Sequence, residues 1–279
     1  MNTGWGDIMM EQVRSRGLVL LGCGKMGSAM LEGWLSDGLP TNSVWVNDPY
    51  PSDWLQSLDG LNLNTTLPEN PAIVLIAVKP QMMAEALPTL KALGNGTTLF
   101  LSVAAGTPIS TYEDMLGDQT PIIRAMPNTP AAIGRGITAI CGNDHASAGD
   151  MDLAQALLSA VGQVVRLEGE HQMDAVTAVS GSGPAYVFHL IETLAAAGVK
   201  QGLSEELAMQ LAKATVGGAG ALAEEADDDP AQLRVNVTSP GGTTAAALSV
   251  LMDKDTGFPD LLTRAVKAAA DRSKELANG

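Results

Sequence analysis

Three short segments hold the residue types whose chemistry is legible in this chain. Gly22-Cys23-Gly24-Lys25-Met26-Gly27 has the G-x-G-x-x-G spacing. Such a turn lets a main chain approach a pyrophosphate and presents the N–H groups and positive dipole end of the helix that follows. Thr238-Ser239-Pro240-Gly241-Gly242-Thr243-Thr244 precedes a run of alanines and leucine. It reads as a helix start rich in hydroxyls and free N–H groups, an anion site without a positive side chain, suited to a carboxylate. Ser180-Gly181-Ser182-Gly183-Pro184-Ala185 interrupts an otherwise helical stretch. Its small residues allow a ligand or another backbone to come close, and Pro184 can open a new helix. None of His145, His171 and His189 sits in a recognisable acid–base motif, and His189 is expected inside a helix. The chemistry should therefore need little acid–base help from charged side chains, as in hydride delivery to an already activated C=N bond.

These segments need a frame. Residues 17–21 form a short apolar run, read as a buried strand that ends in the glycine turn, and 28–36 carry apolar residues at helical spacing. Further strands are expected at 44–46, 72–78, 98–103 and 122–126, and two short ones near 137–140 and 164–167. A helix with Met83, Ala86, Leu87 and Leu90 falls between two of them. Strands alternating with helices mean an α/β fold with a mostly parallel sheet, a Rossmann-type domain. Beyond Leu167 the strand signals vanish, and helices are expected over 190–198, 205–223, 243–252 and 261–275. The expected division is a loose extension over 1–16, a dinucleotide-binding domain over 17–168 and an all-helical substrate and dimerisation domain over 169–279. The acidic run at 224–230 reads as a solvated loop.

Open α/β sheets bind ligands at the carboxyl ends of their strands. Leu21 leads into the glycine turn, and Asn47 and Asp48 end the second strand. Ala77, Val78, Lys79 and Pro80 lie at the end of the third. Val103, Ala104 and Ala105 follow the fourth, where the two alanines leave room for a ring. Asn128 and Pro130 follow the fifth. An acidic residue after the second strand binds the ribose hydroxyls of the adenosine and disfavours a 2′-phosphate. No Arg or Lys lies between Asn47 and Gln56, which leans the reading towards NADH, while Asn47, Ser52 and main-chain groups could still hold a phosphate.

The bulk numbers set bounds. A chain of 279 residues with 46% apolar and 17% charged residues has material for a large core. A net charge of −15 argues against nucleic-acid binding and against docking on anionic membranes. No apolar run is long enough to span a membrane, and the first sixteen residues lack the core of a signal peptide, so the cytoplasm is the expected location. The only two cysteines, Cys23 and Cys141, have no partners at metal-ligand spacing, so neither a metal site nor a disulfide framework is expected.

Taken together, these motifs resemble the Δ1-pyrroline-5-carboxylate reductase family, which catalyses the last step of proline synthesis. The resemblance rests on the glycine turn, Val78-Lys79-Pro80-Gln81, Arg124-Ala125-Met126-Pro127-Asn128-Thr129-Pro130, Thr177 to Tyr186, and Val237 to Thr244, in that order. It implies reduction of 1-pyrroline-5-carboxylate to L-proline by NADPH or NADH. It further implies that the glycine turn, Asn64, residues 77–80 and residues 103–105 line the cofactor. Ser182, Ser239, Gly241, Gly242, Thr243 and Thr244 would hold the substrate, with Thr244 hydrogen-bonded to the ring nitrogen. It also implies a homodimer interlocked through the helical domains, with larger rings of dimers in some members. Asp48 stands where many members carry a small hydroxyl residue, which leaves the choice of cofactor open. A 3-hydroxyacid dehydrogenase of similar architecture would need a lysine on the helix after the junction, and residues 174–198 contain none. A non-catalytic, cofactor-sensing protein on the same fold is the reading from a different class.

Overall fold

The computed structural model describes residues 7–278. Its strands are β1 (Leu18–Leu21), β2 (Val44–Asn47), β3 (Asn62–Leu63), β4 (Ile73–Ile76), β5 (Leu99–Ser102), β6 (Ile122–Met126), β7 (Gly136–Gly142) and β8 (Gly162–Arg166). They form one sheet in the order β3-β2-β1-β4-β5-β6-β7-β8. All neighbours are parallel except β6 and β7, which pair antiparallel. The chain from β6 to β7 is too short for a crossover helix and carries one 3-10 segment, Thr129–Ile133, so the strand can only turn back. The mostly parallel Rossmann-type sheet expected from the alternating pattern is therefore present. The two-residue edge strand β3 is too short to show in that pattern.

The central strands read as continuous apolar runs because both faces are covered. Alternate residues go to opposite sides. Leu18, Leu20, Ile73, Leu75, Leu99 and Leu101 join one core with Met30, Leu31, Trp34 and Leu157. Val19, Leu21, Val74, Ile76 and Phe100 join the other with Leu87, Leu90, Tyr112 and Met173.

The helices of this part are α1 (Asp7–Arg16), α2 (Lys25–Ser36), α3 (Asp53–Gln56), α4 (Met83–Ala86), α5 (Ile109–Leu116), α6 (Ala148–Ser159) and α7 (Met173–Val176). The fully buried indole of Trp34 on α2 donates from Nε1 to the Leu157 carbonyl on α6 at 2.8 Å, so its one polar atom is satisfied. The expected loose extension is helical from Asp7, while residues 1–6 lie outside the described residues. α1 is held because Val13 is buried in the core and Arg16 reaches the carbonyls of Asn70, Pro71 and Thr97 at 3.1, 2.9 and 3.1 Å.

The chain forms two compact units, residues 1–181 with 270–279, and residues 182–269. The second contains α8 (Gly183–Lys200), α9 (Glu205–Glu225), α10 (Pro230–Asn236), α11 (Thr243–Leu251) and most of α12 (Phe258–Asn278). α8 and α9 pack on each other around Ala195, Ala208 and Ala212. The turn joining them places Gly202 at φ +99°, a left-handed conformation that glycine adopts without strain. Ser204 caps α9 through the Leu207 N–H, and Asp229 caps α10 through the Gln232 N–H. The acidic run expected as a loop is thus divided: α9 runs on to Glu225, and Asp229-Pro230 starts a helix. The helical unit buries few large side chains. Leu194, Leu211, Leu222, Val250 and Leu261 are all exposed. No described helix is long and apolar enough to cross a membrane.

Candidate active site

The glycine turn opens directly from β1. Gly22 has φ +84°, and a Cβ there would stand 2.8 Å from Val78 Cγ1 and 3.1 Å from the Ala77 carbonyl oxygen. Gly22 therefore makes the turn and lets β1 lie against the end of β4. A Cβ on Gly27 would be 2.7 Å from the Gly22 carbonyl oxygen, so α2 can close on the strand only without a side chain there. Gly24 differs. A Cβ there meets nothing within 4 Å, and the residue is exposed. It is the N-cap of α2, with no side chain closing the first turn. One glycine turns the chain, one packs the helix, and the middle one leaves open the approach to main-chain N–H groups. That arrangement fits a dinucleotide pyrophosphate.

Main-chain hydrogen bonds continue the sheet ladder past the strand ends. The Gly22 N–H donates to the Asn47 carbonyl at 2.8 Å, Ala77 to Leu21 at 2.8 Å, and Val103 to Ile76 at 3.0 Å. Asn64, at φ +52°, donates its N–H to Val46 at 2.8 Å. Leu21, Gly22, Asn47, Asn64, Ala77 and Val103 are thereby brought into one row across β3, β2, β1, β4 and β5. This is the carboxyl edge of the sheet at the point where strand order reverses, β1 having β2 on one side and β4 on the other. Val78 is half-buried beside Gly22, while Lys79 and Pro80 are exposed at the start of a 3-10 turn. Ala104 is buried, with its N–H held by Ser102 Oγ at 3.2 Å, and Ala105 is exposed. Asn128 caps the 3-10 segment after β6, and its Oδ1 accepts from the Ile137 N–H at 3.0 Å. Pro130 lies in that segment and accepts from the Arg135 N–H at 3.1 Å. Lys25 and Met26 open α2, Lys25 exposed and Met26 half-buried.

Asp48 is tied to the glycine turn itself. Its Oδ2 accepts from the Cys23 N–H at 2.6 Å, and its Oδ1 from the Tyr50 N–H at 2.8 Å. Asn64 brackets its main chain, accepting from the Asp48 N–H at 2.9 Å and donating to its carbonyl at 2.8 Å. Position in the chain points Asp48 towards the ribose; only the fold reveals its contact with Cys23. The Cys23 thiol is buried, and burial pushes its pKa up, so it is a packing group and no nucleophile. The Cys141 thiol is pushed up to about 11, first by burial and then by the nearby Glu170 carboxylate.

A second, partly buried network lies beyond what residue spacing can show. Arg124 lies in the middle of β6, and its Nη1 donates to Glu170 Oε1 at 2.6 Å. The same oxygen accepts from the Ile109 N–H, the first residue of α5, at 2.9 Å. The available signal is a single charge within the apolar strand Ile122-Ile123-Arg124-Ala125-Met126, because such a charge requires a partner. The partner lies 46 residues away and cannot be named from spacing.

The helical segments behave as their small residues suggest. Thr177–Gly181 is a π-helical turn, a form often found at functional sites. A Cβ on Gly181 would stand 2.5 Å from Met126 Cε, so this turn sits against the end of β6. Ser182 caps α8, with Gly183 and Pro184 in its first turn, and His189 lies inside that helix. In the second unit, the Gly242 N–H closes on the Ser239 carbonyl at 3.0 Å, and Gly241 has φ +69°. Gly242 then caps α11, with no side-chain hydrogen bond closing its first turn. Thr243 and Thr244 are the first two residues of that helix, so their hydroxyls and the first-turn N–H groups occur together. The cofactor set falls in the sheet unit, and Ser182 with the 239–244 turn falls in the helical unit.

Residues 170–276 match the family described as pyrroline-5-carboxylate reductase dimerisation, and residues 18–106 match the one described as NADP oxidoreductase, coenzyme F420-dependent. The pyrroline-5-carboxylate reductase of Pseudomonas aeruginosa is 38% identical over 265 residues, covering 93% of this chain and 96% of its own length. The solved pyrroline-5-carboxylate reductase from Coxiella burnetii superimposes with a TM-score of 0.88 at 33% identity, covering 94% of this chain and 98% of that one. The Plasmodium falciparum pyrroline carboxylate reductase, solved with NADP bound, gives 0.80 at 31% identity, covering 95% and 99%. By fold, by glycine turn and by likeness along nearly its whole length, the chain belongs to the pyrroline-5-carboxylate reductase family.

Proposed function

We propose that this protein reduces 1-pyrroline-5-carboxylate to L-proline with a reduced nicotinamide dinucleotide. The observation that carries the reading is the presence in one chain of two helix starts without a side-chain cap, each suited to a different anion. The α2 start after Gly22 fits the cofactor pyrophosphate, and the α11 start after Gly242 fits the substrate carboxylate.

Each residue then has a task. The N–H groups of Gly24, Lys25 and Met26 take the pyrophosphate. Residues 77–80 and 103–105, with Asn128 and Pro130, border the nicotinamide end, and Asp48 and Asn64 the adenosine end. Ser239 and residues 241–244 hold the carboxylate, with Ser182 at the start of α8 in the same set. The bound nicotinamide supplies hydride to C5 of the imine. The Thr244 hydroxyl would orient the ring through its nitrogen, and that nitrogen would take a proton from solvent water as the C=N bond becomes C–N. The reaction is run by positioning rather than by a charged acid or base.

The protein is a homo-oligomer through its dimerisation region. The exposed leucines and valines of the helical unit are the surface a second copy would cover. A ring of dimers and a cytoplasmic location belong to the same proposal. Loss of NADH or NADPH absorbance on addition of pyrroline-5-carboxylate tests the activity. Absence of turnover with both cofactors would overturn it, and dinucleotide binding without turnover would favour a cofactor-sensing role.

A further inference from the structure

We propose that this enzyme selects NADH over NADPH, and that Asp48 sets the choice. The proposal rests on the reductase reading and refines its cofactor site.

The position of Asp48 is fixed by four hydrogen bonds. Its two carboxylate oxygens accept from the Cys23 and Tyr50 N–H groups at 2.6 and 2.8 Å. Asn64 holds its N–H and its carbonyl at 2.9 and 2.8 Å. The carboxylate cannot swing away to admit a bulky anion without breaking the contact that orders the glycine turn at Cys23. An ionised carboxylate offers about four acceptor sites. Two N–H groups leave about half of that capacity for the hydroxyls of an adenosine ribose. A 2′-phosphate has no proton to give to these sites. It carries negative oxygens towards a fixed negative group, and binding it requires a compensating cation.

The surrounding sequence supplies none. From Met26 to Val78, which takes in α2 beyond its first residue, and β2, β3 and β4 with their connections, there is no Lys or Arg. The same stretch carries Glu32, Asp37, Asp48, Asp53, Asp59 and Glu69. Lys25 and Lys79 flank it, but each belongs elsewhere. Lys25 opens α2 at the pyrophosphate turn, and Lys79 follows β4, which is separated from β2 by β1. The end of β2 is therefore suited to hydroxyls and hostile to phosphate.

The test measures binding and turnover separately. Calorimetric titration of the whole protein with NAD+ and with NADP+, without substrate, is expected to show NAD+ bound at least about tenfold more tightly. The ratio of kcat/KM for NADH and NADPH should follow. Asp48→Asn removes the charge and keeps an oxygen able to accept from Cys23. It is expected to lower the binding ratio by about tenfold, chiefly by gain for NADP+. Asp48→Ser should lower it at least as far. Equal or tighter binding of NADP+ by the unaltered protein would overturn the proposal. A ratio unchanged in both variants would do the same, by removing Asp48 from the role. If NAD+ is preferred in binding but pyrroline-5-carboxylate is not reduced, the selectivity stands and only the reductase reading fails.

Discussion

Arg124 and Glu170 form a partly buried ion pair, Nη1 to Oε1 at 2.6 Å, in which the same carboxylate oxygen holds the first N–H of α5 at 2.9 Å. The Arg124 side chain is 5% exposed and that of Glu170 32%. One carboxylate thus braces β6, the start of α5 and the segment that follows β8. The loop from Val103 to Pro108, proposed to border the nicotinamide, is fixed at one end by the Val103 bond to Ile76 and at the other by this contact. A carboxylate at a helix N-terminus also suits the helix dipole.

Removing Glu170 should therefore cost far more than removing a surface acid. Glu170→Ala leaves a buried guanidinium without its counter-charge. Allowing for the partial exposure of Glu170, the expected loss is roughly 2–4 kcal/mol. Glu170→Gln keeps an acceptor oxygen and should lose less. Urea denaturation checks both. Equal midpoints for the unaltered protein and Glu170→Ala would show that the pair does not brace the fold.

The glycines of the turn after β1 should separate by function. Gly24→Ala adds a methyl into open space, so the unfolding midpoint should hold while dinucleotide affinity falls by about tenfold. Gly27→Ala drives a methyl towards the Gly22 carbonyl and should also destabilise the protein, by about 1–3 kcal/mol. Paired calorimetric and denaturation measurements decide it. Similar stability losses in both variants would mean that the open space at Gly24 is not reserved for a ligand.

Thr244 is expected to act on the substrate and its turnover and not on the cofactor. It sits in the first turn of α11, away from the glycine turn in sequence and in a different compact unit. Thr244→Ala should lower kcat by roughly 100-fold, a typical loss for a positioned hydrogen-bonding group, and leave NAD+ affinity unchanged. Thr244→Ser should recover most of the rate. A normal kcat in Thr244→Ala would remove the hydroxyl from the reaction.

The buried thiols predict an alkaline limit to stability. A free cysteine thiol titrates at 9.0, and in the fold burial raises that of Cys141 to about 11. The folded state therefore holds its proton more tightly than the unfolded state. That contribution is complete below pH 9 and is lost as pH rises through about 11. At full extent it amounts to about 2–3 kcal/mol, at roughly 1.36 kcal/mol for each tenfold change in proton affinity. The unfolding midpoint should fall between pH 9 and 11, and Cys141→Ala should flatten that fall. Below about pH 8, neither Cys23 nor Cys141 should react with a thiol reagent until the protein is unfolded. Rapid labelling of the folded protein would contradict their burial.

The parts readable in advance share one property: their signal is local. Residues 18–21 and 73–76 declare buried strands by unbroken apolar composition. The glycine turn declares its form by its place between a strand and a helix. The hydroxyl-rich turn before α11 shows its form by glycines and threonines beside a helical run. Each needs only neighbouring residues to be interpreted. Val13 and Arg16 fail that test, because what makes α1 part of the fold lies some 55 residues away at Asn70 and Pro71. β3 fails it too, since two residues carry no period.

The amino-acid sequence by itself therefore determined the parallel sheet, the glycine turn and the family, because main-chain geometry and side-chain period follow from adjacent residues. Only the tertiary structure decided what the charged groups face. On its strand alone, Asp48 is an acid at the right place for a ribose. Folding sets its carboxylate on the Cys23 N–H and brackets it with Asn64, turning a mobile acid into a fixed negative charge beside the glycine turn. Arg124 is an unexplained charge in an apolar strand until folding brings Glu170 to it. Such partners are distant in sequence, and a charge acquires its meaning from what surrounds it in space.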